Sequence, residues 1–462
     1  MHLVQALVKS GDPPPQLTLV TRSAQAVADA PLVEPAQATL WGFARVLALE
    51  HPELRCRRLD LDIETPIATL LSDLLAAGTE DQVGWRGGRR YVARLQTVHT
   101  DQGRLSVPQS ESYRLEQPEP GVLDTLRLTP IERRAPGPDE VEIEVQAAGL
   151  NFRDVMNALG IYPGARLPFG GECAGRIVAV GPGVEGLALG DEVVAFASGC
   201  FNRFVTTEAI FVAKRPGLLT ATEAATLPVT FLTAHYGLER LAGLKRGERV
   251  LIHAAAGGVG LVAVQIALGQ GAEVFATAGS ARKREYLRAL GVHHVLDSRS
   301  LEFADRIMSL TTGEGVDIVL NSLAGEFIPK SLSVLRSGGR FIEIGKTGIW
   351  TQQEVEALGR RIIYHVFDLV QIAGAQPELI KDMLHEAMGR VADGRLKPLP
   401  ARIFSLRESV DAFRFMAQGK HLGKVVVSLA ETTVPIRADA TYLITGGLGG
   451  LGRRVVDWLV RR

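Results

Sequence analysis

The sequence has few cysteines, few aromatic residues and no net charge. Its 462 residues include three cysteines, which are odd in number and far apart, so a disulfide framework is not expected. We expect a reducing, cytoplasmic location instead. The 51 basic residues equal the 51 acidic ones, so no global charge favours nucleic acid or an anionic membrane. Neither a signal peptide nor a run of about 18 apolar residues occurs, which argues against a membrane span.

Glycine and apolar residues, in contrast, are abundant. Hydrophobic residues make up 46% of the chain and 49 residues are glycine, a composition that fits a compact fold with many strand-to-helix turns. Because the chain is too long for one ordinary domain, we expect about two to four.

Changes in pattern divide the chain. Residues 1–97 alternate between strand patterns such as LTLVTR and helix patterns such as AQATLWGFARVLALEHP, which predicts half a parallel sheet; no glycine turn flanks its first strand, so no cofactor site is expected there. After a polar linker (100–112), short β runs between Gly/Pro turns predict a barrel-like unit. From about residue 248, alternating strands and helices predict a doubly wound parallel sheet, so the fold class is α/β.

One glycine turn has the context of a dinucleotide site. The segment VLIHAAAGGVGLVAVQIA contains an apolar strand, a tight turn and an apolar helix, inside a full β-α-β-α series. Gly257 and Gly258 would let the backbone approach a pyrophosphate at the helix N-terminus, and Gly260 would allow close packing of helix on strand. A glycine turn without a ligand is the alternative. The predicted contacts of this turn are Ala255, Gly257, Gly258, Val259 and Gly260.

The end of the next strand distinguishes NADPH from NADH. An NAD site usually has an acidic residue there for the ribose 2′-hydroxyl, but this strand runs into GSARKRE. Ser280 followed by Lys283 and Arg284, with Arg299 after the following strand, suits a 2′-phosphate. A solvated basic helix start is the alternative, although cations at a helix N-terminus oppose its dipole. The expected cofactor is therefore NADPH.

The motifs AAGLNFRDVMNALGIYPG, HAAAGGVG, VDIVLNSLAGEF, GGRFIEIGK and FRFMAQGKHLGKVVV resemble the enoyl reductase domains of modular polyketide synthases and of animal fatty acid synthase. These belong to the medium-chain dehydrogenase/reductase superfamily, in which a Rossmann part is combined with a GroES-like substrate-binding part. The flanks resemble the two halves of a ketoreductase, and TYLITGGLGGLG is similar to the start of its catalytic half. A ketoreductase activity is not expected, and we expect the chain to be a segment of a longer synthase.

The resemblance implies five parts. They are a ketoreductase structural subdomain and linker (1–106), a GroES-like part (107–237), a Rossmann part (238–371), a return to the substrate-binding part (372–433) and the start of a ketoreductase catalytic subdomain (434–462).

The resemblance also implies three residues for the reaction. Lys346 ends the strand of RFIEIGK at the carboxyl edge of the sheet, where its ammonium would stabilise an enolate or donate a proton. The family pairs such a lysine with an aspartate, so Asp368 would orient Lys346 or a water. Tyr162 matches a family position associated with the configuration at the α carbon. The plainer alternatives are a solvated Lys346, a helix-capping Asp368 and a Tyr162 that packs in its loop.

Further contacts and partners follow from the same resemblance. Asn151, Asn321 and Lys424 are expected at the cofactor, and a turn-forming Asn151 is the alternative. Lys420, His421 and Lys424 are candidate contacts of phosphate or of phosphopantetheine, with solvated charges as the alternative. No metal is expected, since Gly171 stands where zinc-binding relatives have a histidine and catalytic zinc needs about three protein ligands. The implied partners are an acyl carrier protein with a phosphopantetheine-linked substrate and the other domains of the synthase.

Three functions are compatible with these features. The first is NADPH-dependent reduction of a carrier-bound trans-2-enoyl thioester. The second is a stand-alone quinone or alkenal oxidoreductase, which leaves the ketoreductase-like flanks unexplained. The third is a non-catalytic scaffold, which leaves the glycine turn and the basic cluster unexplained.

Overall fold

The computed structural model divides the chain into two compact units, residues 1–100 and 101–462. The residues described are 2–9, 16–27, 34–62, 65–75, 80–94, 104–430 and 449–460.

The first unit is a four-stranded sheet with helices. Strands β1 to β3 are parallel, and β4 is antiparallel to β3. This confirms the predicted α/β class and parallel half-sheet. The elements are α1 (His2–Lys9), β1 (Thr18–Arg22), α2 (Pro35–Glu50), β2 (Arg57–Leu61), α3 (Ile67–Leu75), β3 (Gln82–Arg86) and β4 (Arg89–Val92).

The central strand β2 is buried along its whole length although it carries charged residues. Arg57 pairs with the buried Asp73 at 3.2 Å, and Asp60 pairs with Arg86 while accepting from Thr21 Oγ1 at 2.6 Å. Buried charges persist only when they are paired and hydrogen-bonded, so these ion pairs allow an alternating sequence to lie between two covered faces.

The second unit begins with a β-rich part. Its elements are β5 (Tyr113–Glu116), β6 (Arg127–Pro130), β7 (Glu140–Leu150), α4 (Phe152–Ala158), β8 (Cys173–Val180), β9 (Glu192–Ala195), β10 (Phe204–Glu208), β11 (Val212–Lys214), α5 (Ala221–Ala224) and α6 (Pro228–His235).

Alternating strands and helices follow. They are β12 (Arg249–Ile252), α7 (Gly258–Gln270), β13 (Glu273–Ala278), α8 (Ala281–Ala289), β14 (His294–Asp297), α9 (Phe303–Leu310), β15 (Val316–Asn321), α10 (Phe327–Ser333), β16 (Leu335–Glu343), α11 (Gln352–Glu356) and β17 (Ile362–Val366).

The chain then returns to the β-rich part. The remaining elements are α12 (Leu369–Ala375), α13 (Pro377–Ala392), β18 (Ala401–Ser405), α14 (Ser409–Ala417), β19 (Lys424–Ser428) and α15 (Gly450–Val460).

Two sheets organise this unit. The β-rich sheet has the order β11-β9-β8-β7-β19-β18, with β10 also paired to β7, so the late strand β19 completes a sheet begun more than 250 residues earlier. The other sheet has the order β14-β13-β12-β15-β16-β17, and all its pairs are parallel. This confirms the doubly wound Rossmann sheet with a GroES-like companion.

The Rossmann order indicates where a ligand is expected. The connections run one way from β12 towards β14 and the other way from β15 towards β17, and sheets of this order bind ligands in a crevice at the carboxyl ends of the two strands where the direction changes, here β12 and β15. Phe231 and Phe275 are fully buried in the two hydrophobic clusters that cover opposite faces of this sheet.

The segment TYLITGGLGGLG lies partly outside the described residues. Its Gly450 and Gly452 belong to helix α15, but the residues before 449, Gly446 among them, are not described. In the described parts of the chain, no helix has the length and apolarity to cross a bilayer.

Candidate active site

The glycine turn after β12 opens onto this crevice. Ala254 adopts φ +47°, a left-handed conformation, and Gly257 then starts α7 with no side chain capping the free amides of its first turn. A Cβ on Gly260 would lie 2.6 Å from Ala254 O, so only glycine lets the helix pack this closely on the strand. Such uncapped amides bind an anion, because their N–H groups and the helix dipole point at it.

The other predicted residues of the turn differ in exposure. Ala255 is fully buried and its amide donates to Thr277 O at 3.0 Å, so it anchors the strand end. Val259 is partly buried against the core. Gly258 faces the crevice wall, where a Cβ would come within 2.9 Å of Thr230 Cγ2.

The basic cluster after β13 is only partly free for a ligand. Ser280 caps α8 by accepting from the Lys283 amide at 3.3 Å, and Lys283 Nζ donates to Gly419 O at 2.6 Å. Arg284 pairs with Asp297 at 3.0 Å, whereas Arg299 lies alongside Gly279. Lys283 and Arg299 therefore remain close together at the strand end, and Arg284 is committed to Asp297.

Positive charge is concentrated around Lys283. Burial, and next the nearby Arg299 and Arg282, lower the pKa of Lys283. Burial also lowers the pKa of His421 to about 4, with Lys283 and Lys424 acting in the same direction. The Nδ1 atom of His421 is buried without a hydrogen-bond partner. An anion between these groups would relieve their mutual repulsion.

Lys424 belongs to a buried ion pair next to the glycine turn. Its Nζ lies 2.6 Å from Glu172 Oε1 and 2.6 Å from Asn151 Oδ1, and the Lys424 and Glu172 side chains are 3% and 0% exposed. Glu172 also accepts from Asn151 Nδ2 at 2.8 Å and from the Val229 amide at 2.8 Å. The sequence analysis did not identify Glu172 as a site residue, because its partners come from elements far away in the chain.

This cluster ties the two parts of the unit together. The Gly423 amide donates to Ala256 O at 2.8 Å, and Gly257 and Gly423 form a parallel bridge. Through this bridge β19 of the β-rich sheet is fixed directly to the turn that follows β12. Lys424 is thereby held at the crevice, although its amine is committed to Glu172 and Asn151.

Lys346 and Asp368 meet at the carboxyl edge of the Rossmann sheet. Lys346 Nζ lies 2.7 Å from Asp368 Oδ2 and 3.3 Å from Phe367 O. Asp368 Oδ1 accepts from the Val370 amide at 2.8 Å, so the aspartate also caps α12. Asp368 therefore does both things that the sequence suggested as alternatives: it pairs with Lys346 and it caps a helix. Burial opposes its ionisation, but Lys346 holds its pKa below the usual range.

Tyr162 shares this edge. Burial raises the pKa of its phenol, and the Asp368 carboxylate raises it further while Arg153 lowers it. A protonated phenol is therefore favoured over phenolate beside the ion pair, and it is available as a proton donor.

The side chain of Asn321, which was predicted at the cofactor, makes its hydrogen bonds within the protein. Its amide is fully buried, donates to Glu343 Oε2 at 2.7 Å and to Leu323 O at 2.8 Å, and accepts from the Leu323 amide. Each polar atom of this side chain is thus used inside the protein, next to a buried carboxylate that no motif had indicated.

The donor atoms near the turn do not suit a metal ion. Gly171 lies beside Arg153, whose Nη2 would be 3.0 Å from a Cβ there, and Glu172 already binds an ammonium. Cys173 and Cys200 are buried thiols, and burial raises the pKa of Cys200 well above its ordinary value. A cation is thus already present where zinc would need ligands.

One group of three ligand-type side chains occurs elsewhere among the described residues: His235, Glu239 and Glu386. Arg390 pairs with both carboxylates, at 2.9 Å from Glu239 and 2.5 Å from Glu386. The guanidinium therefore provides the positive charge that a metal would bring.

Family comparisons agree with this architecture. Family models match as "Polyketide synthase extender module SpnB, Rossmann fold domain" over residues 1–95 and "Alcohol dehydrogenase GroES-like domain" over 137–231. "Zinc-binding dehydrogenase" matches residues 290–427 and "KR domain" matches 440–462.

Individual relatives are similar over long stretches. The chain is 42% identical over 483 residues to a phenolphthiocerol/phthiocerol polyketide synthase of Mycobacterium tuberculosis, covering 97% of this chain and 22% of the relative. It is 43% identical to the spectinabilin polyketide synthase system protein NorB of Streptomyces orinoci, covering 96% and 20%. The chain thus spans about a fifth of the length of these curated relatives.

Among solved structures, the crystal structure of the CurK enoyl reductase is 50% identical, with a TM-score of 0.66, covering 69% of this chain and 99% of that one. The Rossmann and GroES-like sheets, the match to nearly all of an enoyl reductase and the polyketide synthase relatives lead to one assignment. The chain belongs to the enoyl reductase family of modular polyketide synthases, within the medium-chain dehydrogenase/reductase superfamily.

Proposed function

We propose that this chain reduces a carrier-bound trans-2-enoyl thioester to the saturated acyl thioester. The observation that carries the proposal is the Lys346–Asp368 pair, 2.7 Å apart beside Tyr162, at the same sheet edge as the glycine turn. Hydride adds to the β carbon, negative charge moves to the thioester oxygen, and a proton reaches the α carbon.

We propose NADPH as the reductant; when bound, it supplies the hydride. The uncapped amides of α7 fit its pyrophosphate, and Lys283 and Arg299 fit its 2′-phosphate, since charge-assisted contacts to phosphate are the strong ones. In support, the quinone oxidoreductase of Escherichia coli, solved in complex with NADPH, is 26% identical to this chain with a TM-score of 0.63.

Each residue of the pair has a distinct role in this proposal. Lys346 stabilises the enolate oxygen electrostatically, as a charge fixed in advance near a partly buried edge. Asp368 holds the ammonium in place through the 2.7 Å contact with its Oδ2. Tyr162, whose pKa is raised, gives its proton to one face of the α carbon.

No metal takes part in the proposed reaction. An enoyl thioester is activated by its own carbonyl, and the ammonium of Lys346 replaces a Lewis acid at the developing oxyanion. The Lys424–Glu172 pair, with Asn151, instead holds the cofactor crevice in shape.

The partners proposed are an acyl carrier protein and the ketoreductase domains of the same synthase. Residues 1–106 and 434–462 would belong to the ketoreductase, residues 107–237 and 372–433 to the substrate-binding part, and residues 238–371 to the Rossmann part. The family matches to residues 1–95 and 440–462 support this division.

The test is NADPH oxidation with crotonyl-pantetheine, measured beside NADH and a simple quinone. Turnover confined to NADPH and the thioester is the expected result. Quinone turnover with an inert thioester would instead establish a quinone oxidoreductase. Tight NADPH binding without turnover, even of carrier-bound substrate, would establish a scaffold.

A further inference from the structure

A buried carboxylate lies at the base of the loop that carries Lys346. Glu343 ends β16 and is fully buried. Its Oε2 accepts from Asn321 Nδ2 at 2.7 Å and its Oε1 accepts from the Gly345 amide at 2.6 Å. The carboxylate therefore bridges the end of β15 and the turn that leaves β16.

The Asn321 side of this bridge is rigid. Asn321 Nδ2 also donates to Leu323 O at 2.8 Å, and Asn321 Oδ1 accepts from the Leu323 amide at 3.2 Å. The Ile344 amide donates to Asn321 O at 2.9 Å. Because the amide orientation is fixed by Leu323, Asn321 can present only an N–H group to Glu343.

The Gly345 side leads directly to the proposed catalytic lysine. A Cβ on Gly345 would lie 2.7 Å from Glu343 Oε1, so the carboxylate packs closely against this turn. Lys346 is the next residue, and its Nζ reaches Asp368 at 2.7 Å. The hydrogen bond from the Gly345 amide to Glu343 therefore sets the backbone position from which the Lys346 side chain extends.

We propose that Glu343 is a positioning residue for Lys346: its carboxylate fixes the Ile344–Gly345 turn against Asn321 so that the Lys346 ammonium meets Asp368. This rests on the proposed function, which gives Lys346 its role. Displacing a catalytic group by about 1 Å costs up to about a hundredfold in rate, so a residue that never touches substrate can affect turnover.

The bridge needs the ionised carboxylate. A proton on Oε2 would face the N–H of Asn321, donor against donor, and one hydrogen bond would be lost. Burial raises the pKa of Glu343 to about 7, against the opposing effects of Asn321, the Gly345 and Ile344 amides and the charge of Lys346. Two further titratable groups lie on this side: Tyr364 of β17, whose pKa is raised by burial and next by Glu343 and Glu354, and Glu354 itself on α11.

The sign of the pH effect follows from this balance. The bridge is complete above about pH 7 and is lost as the pH falls below it. We therefore expect kcat to have an acidic limb near pH 7 that belongs to Glu343.

The first test does not depend on turnover. Hydrogen exchange of the full chain is compared for the wild type, Glu343→Ala and Glu354→Gln; the last removes the same charge from an exposed carboxylate on the same side. Glu343→Ala should speed exchange of the Gly345 amide about tenfold or more, while helix α7 stays protected. Unchanged exchange at Gly345 would overturn the proposal, whether or not the chain reduces enoyl thioesters.

The second test is kinetic and uses crotonyl-pantetheine with saturating NADPH between about pH 5 and 9. Glu343→Gln should lower kcat about tenfold, leave the NADPH Kd unchanged and abolish the acidic limb. Asn321→Ala should shift that limb to higher pH, because the carboxylate loses a donor. A Glu343→Gln enzyme with the wild-type kcat and limb would overturn the proposal; a wild type inert towards the thioester would instead reject the proposed function.

Discussion

Lys346 Nζ lies 2.7 Å from Asp368 Oδ2, and the other oxygen of the same carboxylate caps helix α12 through the Val370 amide. Strand β16 ends at Glu343, so Lys346 lies on the loop that follows it and does not end the strand as predicted. One aspartate therefore links this loop to helix α12. Because the helix fixes the carboxylate, the ammonium is fixed as well, and in the proposed reaction it would meet the enolate without reorganisation.

Removing the ammonium should lower turnover rather than cofactor binding. We expect Lys346→Ala to reduce kcat for crotonyl-pantetheine about a hundredfold, with an unchanged Kd for NADPH by fluorescence titration. Asp368→Asn should cost less, since it retains the cap but weakens the charge pair. Lys381→Ala, which removes an exposed lysine on α13, is the matched control. A wild-type kcat in Lys346→Ala would refute the proposed role.

The basic cluster should discriminate between the two nicotinamide cofactors. Arg299→Ala and Lys283→Ala should each weaken NADPH binding about ten- to a hundredfold, since a charged contact is worth about 1.5–3 kcal/mol, and should leave NADH binding unchanged. Arg284→Ala should have a smaller effect on NADPH, because this arginine is paired with Asp297. Equal losses of binding affinity for NADPH and NADH would show that the cluster does not bind the 2′-phosphate.

His421 should make NADPH binding depend on pH. Its pKa is lowered to about 4 by burial and by Lys283 and Lys424, and a bound phosphate would raise it. Binding should then take up a proton, so the NADPH affinity of the wild type should increase relative to His421→Ala as the pH falls from about 7 to 5. Calorimetry in buffers of different ionisation enthalpy measures the proton uptake. Identical uptake in both proteins would place the phosphates away from His421.

Two glycines of the same helix should respond oppositely to alanine. A methyl group on Gly260 would lie 2.6 Å from Ala254 O, so Gly260→Ala should destabilise the unit by about 1–3 kcal/mol and weaken NADPH binding. Gly269 has no atom within 4 Å of such a methyl group, so Gly269→Ala should stabilise by up to about 1 kcal/mol. Thermal unfolding measures both. Equal melting temperatures for the two variants would contradict the close helix–strand contact.

The buried Lys424–Glu172 pair should be costly to break from one side. Lys424→Met leaves the Glu172 carboxylate uncompensated and should destabilise by about 3–5 kcal/mol, whereas the double change with Glu172→Gln should recover most of this loss. Denaturation of the four proteins gives the coupling energy. Additive losses would show that the two charges do not depend on each other.

The local patterns were read correctly from the sequence because their causes are local. The β12–turn–α7 unit follows from an apolar strand, three glycines and an apolar helix. The order of strands and helices from residue 249 onwards likewise follows from hydrophobic periodicity. The partners of individual side chains were not visible in the same way: Arg284 was predicted at the cofactor from its place after Ser280, and the structure also pairs it with Asp297 of the next strand.

Only the tertiary structure decided which partners the buried polar groups have. Glu172 meets Lys424 across 252 positions of sequence, and Glu343 meets Asn321 across two parallel strands. The sequence by itself determined the Rossmann and β-rich parts, since propensity and hydrophobic pattern act over a few residues. The phosphate contacts it indicates stay predictions. Burial creates the need for a partner, and which partner satisfies it depends on how distant strands pack, which no short segment encodes.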